Sequence, residues 1–265
     1  MKPTDSHSHN RSAWDALAKK QDRLAKPARD EDFSDPLKTV DGSGWLGDSI
    51  HGKSVLCLAA GGGRQGPIYA AAGAAVTVVD ISPAMLQLDR EVAAERNIQL
   101  RTVEASMDDL RVLSDGEFDI VIHPVSTCYV PDLRPVYLEV SRVLRAGGIY
   151  VSQHKQPASL QATVKPETGA YRIVFECGSG QPLPVSNDGN LIREDGTLEW
   201  AHSLEMLLGT MCRAGLTIED IVEPQHAKKD AATGSFGHRA RFVPPYVRVK
   251  ARKRGSGSTR AKLIV

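Results

Sequence analysis

The chain predicts an α/β fold: a doubly wound seven-stranded sheet, mostly parallel with an antiparallel last strand, and helices on both faces. Three observations carry this. Apolar runs near 54–59, 75–80, 99–104, 118–123 and 148–153 alternate with helical stretches near 65–72, 82–96, 107–113 and 132–145, an alternation with short connections that produces right-handed crossovers and a parallel sheet. The first run breaks into Gly61-Gly62-Gly63 at the place where such sheets meet their ligands. Two further runs, Leu216 to Val222 and Tyr246 to Ala251, supply the antiparallel edge.

In chain order, residues 1–8 are polar and are expected to be disordered, with His7 and His9 too few for a metal tract. Residues 11–25 place Trp14, Leu17 and Leu24 on one helical face with Ser12 as its cap. The loop 26–50 carries Pro27, Pro36, Gly42, Gly44 and Gly47, and together residues 1–50 read as a leading helix with a lid or linker. Ser82-Pro83 caps the second core helix, with proline at a position where a missing N–H costs nothing. Residues 154–201 change character: Ala170 to Glu176 alternates as a strand, a Gly/Pro/Asn-rich loop follows, and Thr197 to Trp200 is short and extended. This segment reads as an inserted, hairpin-like substrate lid within a catalytic domain spanning 51–251. A helix opens at His202-Ser203 and runs to about Ala214. The tail 252–265 is basic and rich in Gly and Ser, and without interleaved aromatics it reads as a solvated terminus, not a nucleic-acid arm.

Composition bounds the function. The 265 residues suffice for one α/β domain with additions. Lys plus Arg number 33 against 32 Asp plus Glu, so nothing global points to nucleic acid or an anionic membrane. Cys57, Cys128, Cys177 and Cys212 are far apart and in or beside apolar runs, which suits reduced thiols in a cytoplasm and gives no pair metal-ligand spacing. No apolar run approaches 18 residues and no basic-then-apolar leader is present, so neither a membrane span nor secretion is expected.

The segment Lys53 to Asp80 is the most informative. Its three glycines remove every Cβ from a tight turn, so a ligand can approach the main chain closely. Asp80 ends the second strand 19 residues after Gly61, where a carboxylate can accept both hydrogen bonds of a ribose diol. An adenosine-type ligand follows. Gly61-x-Gly63-x-x-Gly66 alone leaves a nicotinamide-dependent oxidoreductase and a methyltransferase both open.

Downstream order separates them. Over residues 50–155 the chain resembles the class I S-adenosylmethionine-dependent methyltransferases, of the small-molecule type 11-like group with a Rossmann-like sheet. Leu58 to Gly63 matches the family's glycine-rich loop and Asp80 its acidic strand end. Val103 to Asp109 matches the polar segment near the adenine, Phe118 to Ile122 with His123-Pro124-Val125-Ser126 the fourth strand and substrate-facing loop, and Glu139 to Val151 the helix, Gly-Gly turn and fifth strand. The resemblance implies S-adenosyl-L-methionine held by Ala59, Ala60, Gly61, Gly62, Gly63, Gln65, Asp80, Ile81, Ser82, Met85, Ser106, Met107, Asp108 and His123. One position departs: Cys57 stands where the family commonly carries an acidic residue, leaving backbone carbonyls of the loop or a residue of the amino-terminal segment to replace it. A non-catalytic S-adenosylmethionine-binding protein is the second alternative that this departure raises.

The implied reaction is attack of an N, O or S lone pair on the methyl carbon of a sulfonium. Candidate bases are His123, after the fourth strand, and His154, past the fifth, because histidine titrates in the useful range. Tyr129 is placed to orient an acceptor or to contact the sulfonium through its ring. The loop His123-Pro124-Val125-Ser126 lacks the Asn/Asp-Pro-Pro-aromatic pattern of base-modifying relatives, so the expected partner is a small-molecule acceptor, with no nucleic acid and no membrane. A monomer or homodimer is expected.

Overall fold

The computed structural model describes residues 3–20, 22, 25–187 and 190–255. Its strands are β1 (Ser54–Leu58), β2 (Ala75–Asp80), β3 (Arg101–Glu104), β4 (Phe118–His123), β5 (Leu144–Lys155), β6 (Leu216–Val222) and β7 (Tyr246–Lys253). They form one sheet in the order β3-β2-β1-β4-β5-β7-β6. The β1–β2, β1–β4, β2–β3 and β4–β5 pairs are parallel, and β7 runs antiparallel to both β5 and β6. The order reverses between β1 and β4, which opens a crevice at the carboxyl ends of those strands. Val55, Leu56, Cys57 and Leu58 of β1 are fully buried, as a central parallel strand covered on both faces must be.

The helices are α1 (Pro3–Lys19), α2 (Pro36–Val40), α3 (Gln65–Ala71), α4 (Pro83–Glu95), α5 (Arg134–Val143), α6 (Pro157–Gln161), α7 (Thr210–Arg213) and α8 (Phe236–Arg239). Two apolar clusters flank the sheet: one packs α5 and Leu207 and Met211 against β4, β5 and β7, and the other packs Tyr69 and Leu86 against β1 and β2.

Several expectations fail for physical reasons. Residues 3–8 are helical, not disordered: the first half of α1 buries Ser6 and Asn10, a polar face that apolar periodicity cannot reveal. Ser12 is inside α1, its hydroxyl donating to the Ser8 carbonyl at 3.0 Å, so it is no cap. Leu24 lies outside the described residues. No helix forms over 107–113, because the Leu110 N–H is taken by Glu139 of α5 at 2.7 Å and the Asp109 carboxylate by Arg111. Ala170 to Glu176 makes only the isolated bridges Ala162–Ile173 and Glu167–Ala170, and Ile173 and Val174 are exposed: the alternation has no sheet edge to pair with. The helix expected from His202 begins as a π turn at Glu205–Gly209 before α7, since His202 Nε2 is held by the Thr127 and Val130 carbonyls. The carboxyl-terminal boundary also moves, with β7 reaching Lys253; residues 256–265 of the expected tail lie outside the described residues.

Candidate active site

A cleft of about 940 Å³ opens over the carboxyl ends of β1, β2 and β4. On one side it is lined by Ala59, Ala60, Gly61, Gly62, Gln65, Asp80, Ile81, Met85, Ser106 and Met107; on the other by Val125, Ser126, Tyr129, Val130, Glu194 and Tyr246.

The loop after β1 needs its small residues for backbone and packing reasons. Ala59, Gly62 and Gly63 have φ of 48°, 124° and 73°, conformations that side chains disfavour. A Cβ at Gly61 would lie 2.8 Å from Met85 Cβ and 3.0 Å from Asp80 Oδ2. A side chain there would therefore strike Met85 and Asp80: Gly61 lets the loop lie against Asp80 and α4, and it presents backbone to the cleft. Asp80 Oδ2 accepts from the Gly61 N–H and Oδ1 from the Ser82 N–H, each at 2.9 Å. Burial pushes this carboxyl up to about 6, and each oxygen keeps a second lone pair for a ligand hydroxyl.

Asp89, which the sequence reading missed, holds the loop from below. It is fully buried in α4, accepts from the Gly62 N–H at 2.9 Å through Oδ2, and burial pushes its carboxyl up to about 7. Its charge also raises the buried Cys57 thiol, burial being the larger cause. An acidic group thus sits close to Cys57 after all, contributed by α4 and not by β1. Its sequence signal is an aspartate in register with Met85, Leu86, Val92 and Ala93 on the buried face of α4.

Five expected residues are not in the cleft wall. Ser82 caps α4, accepting from the Met85 N–H and donating to Asp15 Oδ1 at 2.6 Å. Gly63 faces α4, where a Cβ would meet the Leu88 carbonyl at 2.9 Å. Asp108 pairs with His7 at 3.1 Å, a hydrogen bond that raises the His7 imidazole. His123 turns to the other side of β4, where its Nδ1 meets the Tyr150 hydroxyl at 2.7 Å beside a separate chamber of about 120 Å³. His154 is fully buried between the Thr127 and Ser152 hydroxyls at 2.9 and 2.8 Å. Burial holds both imidazoles down at about 3. They are neutral near pH 7 and do not reach the cleft, so the expected bases are corrected to internal hydrogen-bonding groups. Tyr129 does line the cleft; its ring stands edge-on to Trp14 at 5.6 Å and under Lys155 Nζ at 5.8 Å, and its hydroxyl donates to Glu194 at 2.7 Å.

Helix α1 crosses the cleft and is fastened at both ends of its span. Asp15 meets Ser82 and the Ala84 N–H at the start of α4, Arg11 pairs with Glu104, and Asn10 bonds the Tyr129 carbonyl and both backbone groups of Leu198. His7, Asn10 and Trp14, with Lys26, Pro27 and Arg29 beyond the helix, line the cavity. Residues 30–50 do not: Leu37 and Val40 pack on the cluster around Tyr69, and Trp45 Nε1 donates to Asp220 at 3.0 Å.

Residues 56–152 match the model of the Methyltransferase domain family. The methyltransferase YbaJ of Bacillus subtilis (strain 168), itself uncharacterized, is 35% identical over 230 residues, 82% of this chain and 89% of that protein. A ubiquinone biosynthesis O-methyltransferase of Alkalilimnicola ehrlichii is 25% identical over 239 residues, 88% of this chain and 91% of its own. In fold, the chain is similar to the crystal structure of an S-adenosylmethionine dependent methyltransferase from Mesorhizobium loti, with a TM-score of 0.63 and 20% identity over 83% of this chain and all of that one. With the relative in Bacillus covering most of both chains and the family model matching the core of the sheet, this protein belongs to the S-adenosylmethionine-dependent methyltransferases.

Proposed function

We propose that the chain transfers a methyl group from S-adenosylmethionine to a small-molecule acceptor, both bound in the one cleft. The observation that carries this is convergence: the loop Ala59 to Gly62, the Asp80 carboxylate and Ser106-Met107 meet at one end of a cavity whose other end is aromatic and apolar and is closed over by α1. Asp80 would hold the ribose diol, Ser106-Met107 the adenine, and the loop backbone the methionine end. The cofactor supplies an electrophilic methyl carbon. The chain's part is to hold the acceptor in line and exclude water, which can supply several kcal/mol of the barrier reduction. A helix strapped across the cleft favours a small molecule over a polymer, and the O-methyltransferase relative supports the same reading. Neither His123 nor His154 lines the cleft, so neither takes the acceptor's proton.

Calorimetry with S-adenosylhomocysteine tests the site. Wild-type protein should bind it and not NAD, and Asp80→Ala should weaken binding tenfold or more, since a diol deprived of its acceptor costs about 1–3 kcal/mol. Unchanged affinity would remove Asp80 from the site. Incubating a metabolite extract with labelled S-adenosylmethionine then identifies the acceptor. A gel shift with RNA or DNA whose affinity falls steeply with salt would overturn the small-molecule assignment.

A further inference from the structure

The described residues between α6 and the π turn have almost no regular structure, yet Arg193, Glu194 and residues 197–200 are buried. Three of these residues join two others in a cluster of five side chains. Lys155, at the end of β5, bonds both Glu194 and Glu199; Arg193 bonds the other oxygen of Glu199; and Tyr129 donates to the same Glu194 oxygen that Lys155 holds. All five are less than a tenth exposed. A buried ion network is seldom the most stable filling for such a space, because desolvation offsets the attraction between its charges. Only Glu194 and Tyr129 of the five line the cleft.

Resting on the methyl-transfer reading above, we propose that Glu194 is the acceptor-recognising residue, receiving an O–H or N–H hydrogen bond from an uncharged, largely apolar acceptor such as a phenol. Two cations and two carboxylates cancel in the cluster. Burial pushes Glu199 up to about 7, so the net charge runs from zero to positive and offers a cationic acceptor no attraction. Burial opposes ionisation of Glu194, but Lys155 and the hydrogen bonds with Glu199, Lys155 and Tyr129 together outweigh it and keep that carboxyl below its usual range. The charged group of the cluster that lines the cleft is the Glu194 carboxylate, with Lys155 and Arg193 behind it, so a hydrogen-bond donor fits there and an anionic acceptor does not. The ionised Glu194 is a good hydrogen-bond acceptor and a weak base, so its part is selection and orientation. Trp14, Val125, Tyr129, Val130 and Tyr246 provide the apolar surroundings.

The test uses the full chain saturated with S-adenosylhomocysteine and four probes: 2-naphthol, 2-methoxynaphthalene, 2-naphthoate and 2-naphthylmethylammonium, with binding followed by ligand-observed NMR. 2-Naphthol should bind at least tenfold more tightly than the other three. Glu194→Gln, and Glu194→Leu as a second variant, should reduce the preference of 2-naphthol over its methyl ether by tenfold, with the S-adenosylhomocysteine Kd within twofold of wild type. A purely structural Glu194 would weaken both probes equally and leave the preference intact, which would overturn the proposal, as would equal binding of phenol and ether to the wild type or no binding of any probe. Failure of S-adenosylhomocysteine itself to bind would instead overturn the reading on which this one rests.

Discussion

Asp80 and Asp89 each spend an oxygen on the backbone of the loop after β1, one from the strand beside it and one from the helix below. The loop is thereby fixed before any ligand arrives, so binding need not order it. Gly66 shows how tight this corner is: a Cβ there would stand 2.4 Å from Val78 Cγ2, inside the core between α3 and β2. Gly66→Ala should therefore cost about 1–3 kcal/mol through overpacking, read as a fall in Tm of about 2–4 °C per kcal/mol. An unchanged melting curve would mean that α3 shifts freely. The glycines and Asp80 were legible in the sequence because each has a local reason to be there. The roles of Ser82, Asp108, His123 and His154 were not: position at the end of a strand does not say which side of the sheet the side chain takes, nor which neighbour reaches it first.

At the scale of elements, α1 behaves as a strap. Its polar contacts run from the start of α4 through Glu104 to Leu198, while Trp14 and Ala18 pack on Met85, so it is held by groups that can exchange partners as well as by a short apolar face. If it closes over ligand, S-adenosylhomocysteine should slow hydrogen exchange in residues 5–29 more than in β6 and β7. Deleting residues 1–25 should reduce turnover far more than thermal stability. Equal exchange with and without ligand would leave α1 a packing extension. The strap is shorter than the 1–50 segment read as leading helix and lid or linker, because α2 packs on the cluster around Tyr69 and Trp45 bonds Asp220.

At the scale of the whole molecule, buried titratable groups set how stability varies with pH. His123 and His154, held at about 3 against 6.5 in the unfolded chain, are neutral when folded; their contribution is complete above pH 6.5 and is lost as pH falls toward 3, by up to ~1.4 kcal/mol per pH unit for each ring. Asp80 and Asp89, raised from 3.8 to about 6 and about 7, act in the opposite sense: the folded form holds their protons more tightly, so their share of stability is present at acid pH and lost as pH rises through that window. Each histidine's removal should expose the balance. Urea unfolding of His154→Gln at pH 7, 5.5 and 4.5 should show a shallower loss toward acid than wild type, whatever its absolute stability. Parallel profiles would mean that His154 titrates alike in the folded and unfolded chain, so that its imidazole is not held down by burial.

The sequence by itself determined the sheet, its parallel strands with an antiparallel edge, the glycine-rich loop, Asp80 and the S-adenosylmethionine-dependent family. The strands, the loop and Asp80 rest on patterns local to 30 residues or fewer, namely apolar runs, turn chemistry and the spacing from Gly61 to Asp80, and the family on the order of such patterns over residues 50–155. Only the tertiary structure decided that residues 3–10 are helical with His7 and Asn10 in the cleft wall, that Asp89 of α4 holds the loop from below near Cys57, that His123 and His154 are internal, and that Glu194 faces the far end of the cavity. Each of these depends on partners distant in the chain, up to 188 residues for Asn10 and Leu198. The groups involved are polar, so their burial is set by those partners and leaves no hydrophobic period to read.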